Sequence, residues 1–279
     1  MRGLGFAAGA RTGLLITVDG QGTSCDIADF DATYGVEDNP FLADPLRAAH
    51  EMMTAYARST GQMVWALSAL LTTPAEFTVT PGALVRPITV HSARMYRLSD
   101  PELGALERCN LGLYFAKAAL ARDASYQGQL VPDIDKWING FGLGRPKGTG
   151  REEALVASLF ADDVARVNRG RAKGSRKLQF LLDDNFYEMS RLVHGDPPTL
   201  MLATDMTARC PAVNRMTIVQ DALAGMSAAY KAGNRFNVFR SGPMTGYDTV
   251  YRALTDVVDD FRQVRDRVES VFGFGPSGW

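Results

Sequence analysis

The sequence predicts an α+β protein that is predominantly α-helical, with a small N-terminal sheet or hairpin and a C-terminal antiparallel helical hairpin. Apolar residues recur at helical spacing over most of the chain, a Val-, Thr- and Ile-rich stretch covers residues 77–96, and two heptad patterns fill the last third. We expect an α+β region over 1–125, a Gly- and Pro-rich linker or loop over 126–150, and a helical region over 151–279.

Short β-strands are predicted where apolar and β-branched residues cluster between turn formers. Residues 14–18, LLITV, precede an Asp-Gly pair, which indicates a buried strand followed by a turn. Residues 77–96 contain a Pro-Gly pair and are predicted to form a hairpin or two edge strands. Pro87 weakens the second of these, because proline cannot donate to a ladder. Residues 200–203 are a candidate for a further strand.

Helices are predicted before and after the glycine-rich stretch. Gly61 is expected to separate the first helix from the second, and Ser99 or Asp100 is expected to cap the third, with Pro101 in its first turn. The spacing of apolar residues places these helices at 44–60, 63–71, 101–120, 134–138, 152–168 and 176–193.

Heptad spacing predicts two long helices in the last third. The first begins near Asn214, and its seam contains Met216, Val219, Leu223, Met226 and Tyr230. The second covers 246–272, and its seam contains Tyr247, Val250, Leu254, Val257, Phe261, Val264, Val268 and Val271. Burying this second seam contributes about 12 to 24 kcal/mol as an upper bound, so it must be covered. The two seams pack on each other within one subunit, or the terminal helix joins subunits; both remain open.

Composition favours a globular protein whose net charge is too small to attract nucleic acid by itself. Thirty basic and thirty-one acidic side chains give a formal charge of -1, so nucleic-acid binding would need a local patch. The three cysteines lack CxxC spacing and are expected to be buried thiols in a reducing compartment. The N-terminus imitates a secretory signal poorly, and no apolar run is long enough for a membrane. We expect a cytoplasmic protein, or one in a virion-like assembly, that is not secreted.

Motifs for catalysis and metal binding are missing from the sequence. The histidines, His50, His91 and His194, have no metal-ligand spacing, and no GxSxG or HExxH motif occurs. We therefore predict no catalytic residues, no metal and no cofactor. Carboxylates between Asp19 and Asp31 could bind Mg²⁺ after the predicted strand, or they could belong to an acidic surface loop.

The glycine-rich loop 140–150 is a candidate site for an anion. It carries Arg145 and Lys147 and leads into a helix whose start has the capping-box pattern of Thr149 and Glu152. Free backbone N–H groups at a helix start attract anions, so a phosphate beside Arg145, Lys147 and Arg151 is expected to bind.

Two further groups of cations could bind a nucleic-acid backbone. One follows the helix 152–168 and contains Arg166, Arg169, Arg171, Lys173, Arg176 and Lys177. Its alternative is a solvated loop after a helix C-terminus. The other alternates Arg235 and Arg240 with Phe236 and Phe239 in the connection between the heptad helices, where aromatics could stack on bases. Its alternative is a pair of core anchors on a short strand.

These observations favour an oligomerising structural protein of a nucleoprotein or shell assembly, such as a viral coat or nucleocapsid subunit. Its expected partners are copies of itself and RNA or DNA, without a membrane. The alternative is an enzyme for a phosphorylated or nucleotide substrate with Mg²⁺, in which the loop cations hold the phosphate. A monomeric protein-interaction module is a third hypothesis.

Overall fold

A computed structural model of the chain describes residues 45–73, 80–120, 130–147, 149, 151–169, 189–191, 193–209 and 211–241. These residues are 87% helical and contain no strand, so the predominantly helical prediction is confirmed. The helices are α1 (Pro45–Thr72), α2 (Thr80–Leu98), α3 (Ala105–Leu120), α4 (Val131–Phe141), α5 (Glu152–Arg169), α6 (Pro197–Arg209) and α7 (Pro211–Ser241).

Helix α2 is the centre of the fold. It packs on α1, α3, α5 and α7, most extensively on α7. Its residues Val85, Ile88 and Met95 are completely buried in an apolar cluster to which α1, α3, α5 and α7 also contribute. A helix surrounded in this way is stabilised by tertiary packing more than by its own helix propensity.

The prediction of a hairpin within 77–96 is wrong for the described residues, because Thr80–Leu98 is a continuous helix. Its first turn accommodates Pro81, since the N–H that proline lacks has no partner in a first turn. Pro87 lies inside the helix, where burial on several sides offsets the lost hydrogen bond. The strand proposed at 200–203 is also wrong, because these residues lie within α6.

Two helix boundaries differ from the prediction for local reasons. Helix α1 continues through Gly61, which is buried inside it rather than between two helices. Helix α3 begins at Ala105, after a turn that contains Pro101. The backbone N–H of Gly104 donates to Oε2 of Glu107 at 3.1 Å, which caps the first turn of α3.

Helix α3 joins α1 to α4. A Cβ added at Gly112 would lie 3.0 Å from the Cβ of Ala49, so glycine permits the close approach of α3 to α1. On its other side, Leu113 packs with Ile134 and Ile138 of α4. The predictions of helices around 134–138 and 152–168 are confirmed by α4 and α5.

Helix α7 is longer than predicted, because it continues through the segment expected to connect the two heptad helices and ends at Ser241. Small residues bring it close to α2: a Cβ added at Gly225 would lie 3.3 Å from Cγ1 of Val85. Of the predicted seam, Leu223, Met226 and Tyr230 are buried, whereas Met216 and Val219 are half-buried. The first heptad helix is thus confirmed, and it packs in the core with α2.

A buried arginine closes the C-terminal end of α2. Arg108 is 2% exposed, and its guanidinium donates to the carbonyl oxygens of Leu98, Asp100 (3.2 Å) and Leu103 (2.8 Å). Its Cζ also lies 4.2 Å from the ring centroid of Phe239 on α7. One side chain therefore satisfies carbonyls at a helix end and ties α2, α3 and α7 together.

Several sequence predictions fall outside the described residues. These are the strand at 14–18, most of the helix 176–193, and the terminal helix 246–272 with its seam. None of the described helices is long and apolar enough to cross a bilayer.

Candidate nucleic-acid interface

The loop between α4 and α5 is anchored to the helices beneath it through its backbone. Gly142 ends α4 in the left-handed conformation, with φ of 64°. Nδ2 of the buried Asn110 on α3 then donates to the carbonyl of Gly144 at 3.1 Å, and Nη2 of Arg97 on α2 donates to the carbonyl of Lys147 at 3.2 Å. These bonds hold the loop against α2 and α3 without using its exposed side chains.

A side-chain clamp closes the second half of the loop. Nε and Nη2 of Arg145 donate to the hydroxyl and the carbonyl of Thr149 at 3.1 and 3.0 Å. The Thr149 hydroxyl in turn donates to the carbonyl of Pro146 at 2.8 Å. These bonds link Arg145 and Pro146 to Thr149, which lowers the conformational freedom of these residues.

The three predicted loop cations, Arg145, Lys147 and Arg151, are all exposed. Among the described residues, no carboxylate lies within ion-pairing distance of any of them. All three cations therefore lie exposed on one anchored segment of the chain. Their charge is available to an external anion.

The predicted capping box is not formed. The Thr149 hydroxyl is engaged with Pro146, and the helix begins with the N–H of Leu155 donating to the carbonyl of Arg151. The carboxylate of Glu152 points instead to α2, where Oε2 lies 2.8 Å from Nη2 of Arg86 and Oε1 lies 3.2 Å from Nη2 of Arg94. The first turn also carries Glu153, so these carboxylates already complement the helix dipole.

The bridge of Arg86, Glu152 and Arg94 is the principal polar contact described between α2 and α5. Its side chains are only 17 to 18% exposed, so their charges are partly desolvated. Rings of Tyr56 on α1 and Phe115 on α3 both lie 5.9 Å from Cζ of Arg94. The bridge fixes the start of α5, and hence the position of Arg151, relative to the core.

His91 lies on α2 beside this bridge. Its ring centroid is 5.3 Å from that of Tyr56, and its Nδ1 is buried without a hydrogen-bond partner. Burial, and then the positive charge of Arg94, lower the pKa of His91, while Glu152 acts in the opposite direction. The imidazole is therefore neutral at pH 7.

The predicted group around Arg235 and Arg240 lies on α7 and not on a connection between helices. Nη2 of Arg235 lies 2.6 Å from Oδ1 of Asp100, and its Cζ lies 4.1 Å from the ring centroid of Tyr96. Arg240 is half-buried over the ring of Phe236, and burial lowers its pKa. Both cations contribute to packing within the bundle.

The aromatic residues of the same group are core residues. Phe236 is 1% exposed, and Phe239 packs between Arg108 and the ring of His50, 5.6 Å away. The core-anchor alternative is therefore correct for these rings, although they lie on a helix rather than a strand.

The remaining predicted cations fall outside the description of side chains. Arg166 and Arg169 are within α5, but their side chains are not described, and the segment from Arg171 to Lys177 lies outside the described residues. The carboxylates between Asp19 and Asp31 also lie outside the described residues. Among the residues that are described, no group of His, Cys, Asp and Glu could hold a metal ion. Cys109 is a buried thiol, as predicted.

Sequence reasoning missed the residues that position the loop, namely Arg86, Arg94, Arg97 and Asn110. Arg86 and Arg94 are eight residues apart, which places them on one helix face about two turns from each other. That relation is visible only when residues 80–98 are assigned to a helix.

No protein-family model, curated protein or solved structure matches this chain.

Proposed function

We propose that this protein is an oligomerising structural subunit of a nucleoprotein or shell assembly, of the viral coat or nucleocapsid type. The proposal depends on one observation: Arg145, Lys147 and Arg151 are exposed on an anchored loop, with no described carboxylate paired to them. A phosphodiester chain is the extended polyanion that fits such a surface.

Anchoring matters because a preorganised cationic loop loses less conformational entropy on binding than a mobile one. The loop is held by Arg97 and Asn110 through backbone carbonyls, so its cations need not move to meet phosphates. The whole chain has a formal charge of -1, so the attraction is local and does not arise from a global field. Such a surface positions a nucleic-acid backbone without reading its sequence.

The assembly part of the proposal is supported by the packing of α7. Its heptad residues Leu223 and Met226 belong to the same core cluster as residues of α1 and α2. Since α2 already packs along α7, the apolar seam predicted in 246–272 is proposed to find its partner in a second subunit rather than in an antiparallel hairpin.

One solution measurement tests both parts. Light scattering coupled to size-exclusion chromatography, with absorbance at 260 and 280 nm, is expected to give a large species with an elevated 260/280 ratio. A monomer free of nucleic acid would contradict the proposal. Stabilisation by a nucleotide with Mg²⁺ would support the enzyme alternative instead.

Neutralising the loop cations is expected to weaken nucleic-acid binding at low salt and to flatten its salt dependence. In the triple variant R145Q/K147Q/R151Q, the slope of log K against log salt should become less negative by about 2 to 3, because each lost phosphate contact removes about 0.7 to 0.9. Fluorescence anisotropy with a labelled oligonucleotide across a salt series measures this slope.

A matched triple variant controls for net charge. R47Q/R58Q/R209Q removes the same three charges from exposed positions on α1 and α6. It should leave the slope within about 1 of wild type, since only long-range attraction changes. Equal slopes for the two triple variants would exclude the loop as the binding surface.

A charge in the seam of the terminal helix is expected to dissociate the oligomer or to cost well over about 3 kcal/mol, because it buries an unpaired carboxylate. Phe261→Asp tests this, measured by light scattering and denaturant unfolding. Thr255→Asp is the control, since Thr255 lies outside the seam in the same register. A Phe261→Asp protein that assembles and unfolds like Thr255→Asp would refute the seam.

A further inference from the structure

The environment of His91 tolerates a neutral ring and opposes a charged one. Its Nδ1 is buried and makes no hydrogen bond, so the tautomer with its hydrogen on Nε2 is favoured. Protonation would place a second N–H in a position without an acceptor. It would also add a positive charge near Arg94, which shares the carboxylate of Glu152 with Arg86.

The groups that act on the ring come from three helices. Arg94 on α2 opposes the charged form, Glu152 on α5 favours it, and the ring of Tyr56 on α1 lies tilted beside the imidazole. Among the described residues of α3 and α7, no charged group acts on His91. Burial is the larger cause of the lowered pKa of His91, and the positive charge of Arg94 adds to it.

We propose that His91 is an acid-sensitive latch on the contact between α2 and α5. When the ring gains a proton, it repels Arg94 and competes for Glu152, which loosens the bridge. The start of α5 and the loop that ends at Arg151 then separate from α2. The regulatory consequence, weaker presentation of the loop cations in acid, rests on the proposed function of the loop; the latch itself does not.

The direction of the pH effect follows from linkage. The pKa of His91 is lower in the folded protein than its ordinary value of about 6.5, so below that pH the unfolded chain binds more protons than the folded protein. Stability therefore falls as the pH drops through about 6.5 and levels off below the folded pKa. Near neutral pH, His91 is neutral and the bridge of Arg86, Glu152 and Arg94 is intact.

The bridge is coupled to the loop because their residues are neighbours in the sequence and on α2. Arg151 is followed immediately by Glu152, the residue whose ion pairs weaken when His91 is protonated. One helical turn beyond Arg94, Arg97 donates to the carbonyl of Lys147, so both anchors come from the same face of α2. Without the bridge, the loop is still attached to α2 and α3 by the bonds that the side chains of Arg97 and Asn110 donate to its carbonyls.

Hydrogen exchange measured by mass spectrometry at pH 7.5 and 5.5, corrected for intrinsic exchange rates, tests the latch without nucleic acid. In wild type, peptides covering 142–160 should exchange faster at pH 5.5, by up to about tenfold for each unit of depressed pKa. His91→Gln should abolish this difference, whereas His194→Gln, at an exposed position, should keep it. An identical acid response in wild type and His91→Gln would overturn the proposal.

A titration of the wild-type protein covers the case in which His91→Gln fails to fold. With three histidines in the chain, their ring resonances are readily assigned by NMR. His91 should titrate below its ordinary value of about 6.5, and amide resonances of residues 152–160 should shift with the same midpoint. Amide shifts that do not follow the His91 midpoint would overturn the latch. A confirmed latch without oligonucleotide binding would refute only the proposed function.

Discussion

Replacing Arg108 with Met is expected to lower the free energy of unfolding by about 3 to 5 kcal/mol, the largest loss among the described side chains. Met fills similar space but donates nothing, so the carbonyls of Leu98, Asp100 and Leu103 lose their donor inside the protein. The stacking of the guanidinium on Phe239 is lost as well. Denaturant unfolding followed by circular dichroism measures the difference.

Two variants distinguish the hydrogen bonds that Arg108 donates from its positive charge. Arg108→Lys keeps a cation but not the planar fork that reaches several carbonyls, so an intermediate loss is expected. Arg58→Met removes an exposed arginine from α1 and should change stability by less than about 0.5 kcal/mol. If Arg108→Met were as stable as Arg58→Met, Arg108 would not cap α2.

Glu152→Gln is expected to cost about 2 to 3 kcal/mol, because it leaves Arg86 and Arg94 partly desolvated without their shared carboxylate. The low exposure of these side chains, 17 to 18%, places the bridge well above an ordinary surface ion pair in strength. The loss should appear in the unfolding free energy at pH 7.5, where His91 is neutral.

The neighbouring carboxylate is the control for this variant. Glu153 is exposed in the same first turn of α5, so Glu153→Gln removes the same charge from the helix dipole without touching the bridge. The difference between the two variants isolates the interaction with Arg86 and Arg94. Equal losses would show that only the helix dipole is affected and that the bridge contributes nothing.

The sequence predicted most of the helices but failed at the centre of the fold. In α2 the buried positions Val85, Ile88 and Met95 are spaced by three and seven residues, which is helical spacing. The β-branched residues and Pro87 concealed it, because no residue of 81–98 is exposed and polar side chains such as Arg94 are themselves half-buried, so no polar face marks the helix. Tertiary packing overrides local propensity in such a segment.

The candidate site was predictable only in its exposed part. Arg145, Lys147 and Arg151 stand out because cations next to glycines are visible in one segment of sequence. The partners of Glu152 come from a helix that ends more than fifty residues earlier, so no local pattern reveals them. The capping-box prediction failed for the same reason: a distant pair of guanidinium groups competes better for the carboxylate than the local backbone does.

The main-chain anchoring of the α4–α5 loop has a consequence for variation. Its acceptors at Gly144 and Lys147 are peptide carbonyls, which every amino acid possesses. The side chains at Lys147 and Arg151 can therefore be exchanged while the path of the loop is retained. The exposed side chains of these two residues are thus distinct from the groups that hold the loop to the bundle. Under the proposed function, substitutions at these two positions would change nucleic-acid binding at little cost to the stability of the bundle.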